Sequence, residues 1–169
     1  RMPSPVSSSP QQTHTFQAIG KGDPPLALRE GGALESVQLS YQSWGNLNAG
    51  KSNAILIFHA LSGSQNVTGN TPENPEAGDL WNGEVQQGWW EGLVGPGKAI
   101  DTDHYFVICF NLLGGCYGST GPISVNPRTG EPYGSTFPNL SISDQATVGS
   151  LLLDHLGIDC LHAVAGPSV

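Results

Sequence analysis

The segment Leu161-His162-Ala163-Val164-Ala165-Gly166-Pro167-Ser168-Val169 decides how this chain is read. Residues 161–165 are apolar enough for a strand, and a Gly-Pro-Ser turn follows directly. Gly166 to Val169 supply four of the five positions of a Gly-x-Ser-x-Gly elbow. Chemistry explains the pattern. A serine hydroxyl is a poor nucleophile until a base takes its proton. A tight turn at the carboxyl end of a strand exposes that oxygen, and small neighbours leave the backbone room to turn. The amide of the residue after the serine then faces the oxyanion developing on the substrate. Two readings stand on these residues alone: a nucleophile elbow, or a strand that happens to end in Gly-Pro-Ser.

Upstream, Ser141 can cap a helix, and Asp144 three residues on favours its positive end. Ile142, Ala146, Gly149, Leu152, Leu153 and Leu156 recur at helical spacing, and Gly157 offers a left-handed stop. A helix is expected over 141–156, with a strand opening at Cys160 or Leu161. Residues 54–58 and 105–110 are apolar on both faces, and 161–165 repeat that character more weakly. Such runs suit strands of a parallel sheet covered by helices. Strand, helix, strand makes a βαβ crossover, so the class is α/β. Nearer the start, Leu26 and Leu28, then Gly31-Gly32, then Leu34, Val37, Leu39 and Tyr41 read as two strands joined by a glycine turn. Val37, Leu39 and Tyr41 alternate with Gln38, Ser40 and Gln42, which predicts one buried face and one wet face.

Residues 61–100 and 111–140 are rich in Gly, Pro and Asn and resist assignment. Loops this long are functional or disordered, and Trp81, Trp89 and Trp90 argue for packed, functional ones. Residues 1–13 (RMPSPVSSSPQQT) read as a disordered arm ahead of an incomplete domain over 14–169. At 169 residues the chain is long enough for one domain, in which ~70% of the unfolded surface can be buried. Six Lys and Arg against 14 Asp and Glu leave a net charge of −8, which disfavours a nucleic-acid partner. No apolar run approaches the ~18 residues of a membrane span, and residues 1–13 lack a signal peptide's apolar core. Cys109, Cys116 and Cys160 are too few and too scattered for a disulfide framework and read as reduced thiols of a cytoplasmic protein.

Other motifs carry less. Gly92-Leu93-Val94-Gly95-Pro96-Gly97-Lys98 fits the front of a phosphate-binding loop, but Ala99 stands where a Ser or Thr must hold magnesium, and no strand precedes it. Asn66-Val67-Thr68 and Asn139-Leu140-Ser141 match the glycosylation triplet, a pattern common by chance. His14, His59, His104, His155 and His162 do not fall at a metal-binding spacing, so no metal site is expected. Gly114-Gly115-Cys116 has no neighbouring Lys or Arg to activate the thiol and reads as a glycine turn with a small buried Cys. The segment His59-Ala60-Leu61-Ser62-Gly63 is different. It follows the strand over 54–58, where an elbow enzyme takes its second oxyanion amide.

The chain from about Leu26 onward resembles the amino-terminal half of the homoserine O-acetyltransferases of the α/β-hydrolase fold. The resemblance rests on His59–Gly63, on Gly88-Trp89-Trp90-Glu91-Gly92 through Lys98, on Asp101-Thr102-Asp103, and on Tyr105-Phe106-Val107-Ile108-Cys109. Its longest stretch is Asn111-Leu112-Leu113-Gly114-Gly115-Cys116-Tyr117-Gly118-Ser119-Thr120-Gly121-Pro122. Asn126-Pro127, Thr129-Gly130, Pro132-Tyr133-Gly134, Phe137-Pro138, Asp144 and Leu152-Leu153-Asp154-His155-Leu156-Gly157 continue it. The Gly-Gly-Cys-x-Gly-Ser-Thr-Gly-Pro run is far more specific than the elbow alone.

The resemblance implies an α/β-hydrolase fold cut at its nucleophile elbow. Ser168 is then the nucleophile, and the Leu61 and Val169 backbone amides form the oxyanion hole. Acetyl passes from acetyl-CoA to the serine and then to the hydroxyl of L-homoserine, a cytoplasmic step of methionine biosynthesis. Acetyl-CoA is a co-substrate and no cofactor is tightly bound. The full-length enzyme is expected to be a homodimer. A succinyl donor, a serine acceptor, a hydrolase or esterase of the same fold, and a non-catalytic half-domain are the alternatives. The chain departs from the family pattern at Pro167 (usually Gly), Val169 (usually Met), Ser143 (usually Arg) and Ser64 (often acidic), and over residues 65–87. Pro167 removes an amide beside the serine, whereas Val169 keeps its own.

The family's catalytic Asp and His follow the nucleophile and are not among these residues. His59 and His155 lie in the wrong region to replace them. The strand over 161–165 is expected at an open sheet edge, an aggregation hazard. The 169-residue chain by itself is expected to be inactive, since an elbow without its base keeps only ~10³–10⁴-fold over water in other serine enzymes. Incubation with acetyl-CoA and L-homoserine checks this; CoA release well above buffer would overturn it.

Overall fold

The computed structural model describes residues 11–168. Its organising strand is the run Ala54-Ile55-Leu56-Ile57, four apolar residues buried along their whole length. Because both faces are apolar, both must be covered, and the chain builds outward from this strand. The order is β1 (His14–Ile19), β2 (Leu26–Ala27), β3 (Ala33–Leu34), β4 (Val37–Trp44) and β5 (Ala54–Ile57). After a 3₁₀ turn at Gly78–Leu80 come β6 (Val94–Gly95), β7 (Ile100–Asp101) and β8 (Phe106–Phe110). A second 3₁₀ turn at Gly134–Thr136 precedes α1 (Ile142–Leu156) and β9 (Ala163–Ala165). Five strands make one mixed sheet in the order β1-β4-β8-β5-β9. Strand β5 runs parallel to β8 and β9, and β4 is antiparallel to β1 and β8.

Alternation along β5 and β8 sorts the core into two layers. Leu56, Ile108 and Phe110 join Val148 and Leu152 of α1, with Val37 and Leu39 of β4, in the larger cluster. Ile55, Ile57, Val107 and Cys109 point the other way, onto Val67 and Val94 of the long loop. That loop is packed, as its tryptophans led us to expect. The Trp81 and Trp89 indoles donate to the carbonyls of Thr71 and Ser64, at 2.8 Å each. Glu91 clamps it further, accepting from the Gly69 amide at 2.6 Å, from the Thr68 hydroxyl and from Lys98. The Gly69 amide first, then Lys98 and Thr68, hold the Glu91 carboxyl down at about 2. Lys98, the lysine of the rejected phosphate loop, is thus an ion-pair partner of Glu91.

Several expectations are corrected. The expected two-stranded unit after Pro25 is three strands. Only β2 and β3 form the glycine hairpin, while β4 leaves it to join the main sheet. Strand β1 was not read from the sequence, which lacks a clean period there; its pairing with β4 makes it. The polar face of β4 is largely covered, with Gln38 half-buried. Ser40 and Gln42 are fully buried, because residues 64–74 and 111–121 cover that side. The Ser40 backbone amide donates to the Ser119 hydroxyl at 3.0 Å, and the Gln42 side-chain Nε2 to the Thr71 hydroxyl at 3.0 Å. The last strand is shorter than 161–165 and is not buried on both faces: Val164 is 61% exposed at the sheet edge. Of the arm expected over 1–13, residues 1–10 lie outside the described residues. Gln11 and Thr13 hydrogen-bond to Ser43 and Gln42 of β4.

Helix α1 starts and stops on local signals. Ser141 and Asp144 form a reciprocal capping box, and Gly157 (φ 68°) ends the helix. The buried stripe is Gln145, Val148, Gly149 and Leu152. Ile142, placed on the apolar face by its spacing, is 64% exposed. Asp144 does more than cap. Its Oδ2 accepts from the Ser141 amide and hydroxyl, and its Oδ1 accepts from the Arg29 amide at 3.0 Å. The β2–β3 hairpin is thereby tied to the start of α1. Burial pushes this carboxyl up, but the bonds from Ser141 and Arg29, with the Arg29 charge, outweigh it and leave it below the ordinary value.

Ser141→Ala is expected to cost about 1 kcal/mol, as cap deletions do. Asp144→Ala is expected to cost more, roughly 2 kcal/mol, because it also frees the Arg29 amide. The double variant is expected to cost less than the two together, since both remove one capping box. Denaturant midpoints measure all three. A lowered carboxyl stabilises the fold above its unfolded value near ~4 and loses that contribution as pH falls through the folded value. The gap between wild type and Asp144→Ala is therefore expected to narrow in acid.

Candidate active site

Parallel strands deliver their carboxyl ends to one edge of a sheet, and the loops that leave that edge must meet. Here they enclose a cavity of about 740 Å³. Leu61 and Gly63 reach it from the turn after β5, Asn111 to Tyr117 from the loop after β8, and Ser168 from the turn after β9. Phe137–Leu140 and the first residues of α1 close the side. Ser168 is exposed and has φ 47°, in the left-handed region. A residue other than Gly, Asn or Asp seldom stays there, so the surrounding chain holds it. Of the sequence-derived site residues, Ser168 and Leu61 line the same cavity. Val169 lies outside the described residues. Ser168 makes no hydrogen bond among the described residues, and no imidazole reaches it there.

The turn after β5 runs from Ala60 to Gly63, whose amide donates back to the Ala60 carbonyl at 2.7 Å. Leu61 stands at its apex, 96% exposed. Beneath it His59 is buried, 2% exposed, against the loop after β8. The Leu112 amide donates to His59 Nε2 at 3.0 Å, and Asn111 Nδ2 lies 3.3 Å from the same nitrogen. Burial pushes the imidazole below its ordinary value, against a smaller raising effect of the Ala60 carbonyl.

The loop after β8 is pinned at several further points. Asn111 Oδ1 accepts from the Tyr117 amide at 3.1 Å, so one side chain closes the Gly114-Gly115-Cys116 turn. Gly118 sits at φ 110°, and a Cβ there would lie 2.1 Å from Ser40 Oγ; the loop fits on β4 only without a side chain at this place. Gln145 of α1 binds Leu113 as a strand would, accepting from its amide at 2.9 Å and donating to its carbonyl at 2.8 Å. Cys116 is half-buried and lines the cavity, so the small buried thiol expected there is corrected. The fully buried thiol is Cys109, which burial pushes up and makes inert.

Sequence reasoning missed Asn111, Gln145 and the part played by His59. A signal for Gln145 was present: it lies three and seven residues before Val148 and Leu152, a polar residue in line with buried ones. His155 stacks on Phe16 and His162 packs at a tilt against Tyr105, away from the cavity. No group of three metal-ligating side chains occurs among the described residues. No helix among them is long and apolar enough to cross a membrane.

Comparison with known proteins gives this geometry a lineage. A homoserine O-acetyltransferase of Methanosphaerula palustris is 53% identical over 145 residues, 86% of this chain and 28% of its own length. A homoserine O-succinyltransferase of Dechloromonas aromatica is 47% identical over 147 residues, 87% of this chain and 37% of its own. Over these residues the chain belongs to the homoserine O-acetyltransferase family. It spans about a third of the length of these relatives, less than the half that the sequence motifs led us to expect. The crystal structure of homoserine O-acetyltransferase from Bacillus anthracis superposes with a TM-score of 0.79 at 35% identity, over 95% of this chain and 41% of that one. The crystal structure of esterase E22 matches with a TM-score of 0.78 at 37% identity, over 94% and 41%. The described residues are thus part of an α/β-hydrolase domain. No family model matches the chain.

Gln145 gives the site a test independent of chemistry. Gln145→Leu leaves the Leu113 amide and carbonyl unpaired, at ~1–3 kcal/mol for each buried group. A loss of roughly 2–6 kcal/mol in unfolding free energy is expected from denaturant curves, with Gln145→Glu losing less because it still accepts from the Leu113 amide.

Proposed function

We propose that this chain carries the nucleophile and the oxyanion turn of an enzyme that moves acetyl from acetyl-CoA to the hydroxyl of L-homoserine. The observation that carries the reading is Ser168, held at φ 47° directly after β9 and opening on the same cavity as Leu61. The family membership supplies the donor and acceptor.

In this reading Ser168 Oγ attacks the thioester carbonyl while a base takes its proton. The carbonyl oxygen becomes an oxyanion, received by the Leu61 and Val169 amides. The C–S bond then breaks, CoA leaves as the thiol with the proton returned by the base, and an acetyl-serine remains. The homoserine hydroxyl attacks that ester as its proton passes to the base; the acetyl–Oγ bond breaks, the base returns the proton to Ser168, and O-acetyl-L-homoserine leaves. The base and the acid that orients it, in the family a His and an Asp, are not among the residues of this chain. The setting is the cytoplasmic route to methionine.

One observation favours a second reading. Esterase E22 is as similar in structure as the acetyltransferase, so the same frame also supports water as the acceptor. A succinyl donor is the variant favoured by the Dechloromonas aromatica relative.

The whole protein, given acetyl-CoA and L-homoserine, is expected to release CoA and form O-acetyl-L-homoserine by a ping-pong course. Ser168→Ala is expected to lose on the order of 10⁴-fold or more in kcat, as loss of an elbow serine does elsewhere. Acetate formed at the same rate with or without homoserine sinks the transferase reading in favour of the hydrolase. Turnover with succinyl-CoA alone corrects the donor. An active Ser168→Ala variant removes Ser168 from the mechanism.

A further inference from the structure

We infer that His59 is a positioning residue that aims the Leu61 amide at the reacting carbonyl, acting only as the neutral tautomer protonated at Nδ1. The inference rests on the reading of Leu61 as an oxyanion donor and explains what holds it there.

The tautomer follows from the partners. A backbone amide can only donate, so the Leu112 amide 3.0 Å from Nε2 requires a bare lone pair on that nitrogen. A backbone carbonyl can only accept, so the Ala60 oxygen 2.7 Å from Nδ1 requires the proton there. Both demands are met by one neutral form and by no other. The ring is buried, so it has no water to substitute for either partner.

The aim follows from the peptide bond. In a trans peptide the carbonyl and the following amide point in opposite directions. The Ala60 carbonyl is drawn inward by two donors, His59 Nδ1 and the Gly63 amide. The Leu61 amide must then point outward, on the cavity side where Ser168 stands. It makes no hydrogen bond among the described residues, so it is free to donate. Gly63 makes the arrangement fit. A Cβ there would lie 3.0 Å from His59 Cβ and 3.1 Å from the Ala60 oxygen. The same ring also ties this turn to the loop after β8 through Leu112 and Asn111. His59 therefore joins two walls of the cavity and sets the donor on one of them.

The two bonds can be separated by substitution. In His59→Asn, the side-chain amide sits where Nδ1 was and still donates to Ala60, but nothing reaches Leu112. In His59→Gln, the side-chain oxygen can accept from Leu112, but the short-range donor to Ala60 is gone. The whole protein and its Ser168→Ala, His59→Asn and His59→Gln variants are compared for kcat, KM and Tm with acetyl-CoA and L-homoserine, and with p-nitrophenyl acetate. His59→Gln is expected to keep most of its Tm and lose on the order of 100-fold in kcat with KM little changed, as when an oxyanion donor is lost. His59→Asn is expected to lose Tm but only several-fold in kcat.

The opposite order, or kcat that simply follows Tm across the series, overturns the inference and leaves His59 as a packing residue. If Ser168→Ala is inactive while both His59 variants turn over like wild type, the function stands and the inference alone falls. If Ser168→Ala is active, the function reading falls and takes the inference with it.

Discussion

The site depends on one register. Ile57 of β5 lies opposite Cys109 of β8 on one side and opposite Ala165 of β9 on the other. Parallel pairing sends all three chains out of the sheet in the same direction and at the same level. Two residues on, the three chains present His59, Asn111 and Pro167. Three residues on, they present Ala60, Leu112 and Ser168. The contacts found between His59, Asn111 and Leu112 are therefore a consequence of strand pairing, and the loops have little freedom to be elsewhere. A shift of one residue in β9 would turn Ser168 to the other side of the sheet, because strand side chains alternate.

Register explains convergence but not rigidity. Loops rich in glycine would sample many shapes unless their backbone groups were taken up. Side chains from regular elements or from strand ends do that here. Gln145 engages both groups of Leu113, Asp144 engages the Arg29 amide, and Asn111 engages the Tyr117 amide. Each is a polar side chain buried where an apolar one would pack as well. Each carries a cost of desolvation that its backbone partner offsets. The cavity wall is thus held by hydrogen bonds whose donors and acceptors are specified singly, which fixes its shape more narrowly than packing does.

This division also separates what could be read from the sequence from what could not. Strands β5 and β8 were legible because both their faces are apolar. Helix α1 was legible because Ser141, Asp144 and Gly157 act within a few residues of themselves. The turn at Ala60–Gly63 and the sharp turn after β9 were legible because short-range geometry restricts which residues fit. Strand β1 was not, since His14–Ile19 has no strong period and exists through its partner β4. The burial of Ser40 and Gln42 was not, because it depends on loops arriving from 70 residues or more along the chain in the case of Ser119. Ile142 was misplaced for a related reason. Helical spacing gives a stripe, but the neighbour decides which edge of the stripe is covered, and here the first turn projects beyond the sheet into the cavity wall.

Ser168 is where these constraints act against local preference. A serine at φ 47° costs on the order of 1–2 kcal/mol over an extended one. Something must hold it, and the contacts that can do so are few. Strand β9 pairs with β5 through Ile55–Ala163, Leu56–Val164 and Ile57–Ala165. The pairing is extended at one end by the His162 amide on the Ala54 carbonyl, and at the other by the Phe58 amide on the Ala165 carbonyl. The last of these bonds closes three residues before Ser168, so the chain enters the turn with its direction already fixed. Pro167 then sets φ of the residue in between and removes an amide that could otherwise bond locally and relax the turn. The strained serine is thus positioned from β5, the same strand whose end carries His59 and Leu61. The turn that carries Ser168 and the turn over Ala60–Gly63 share one foundation, and a change in β5 must move both together.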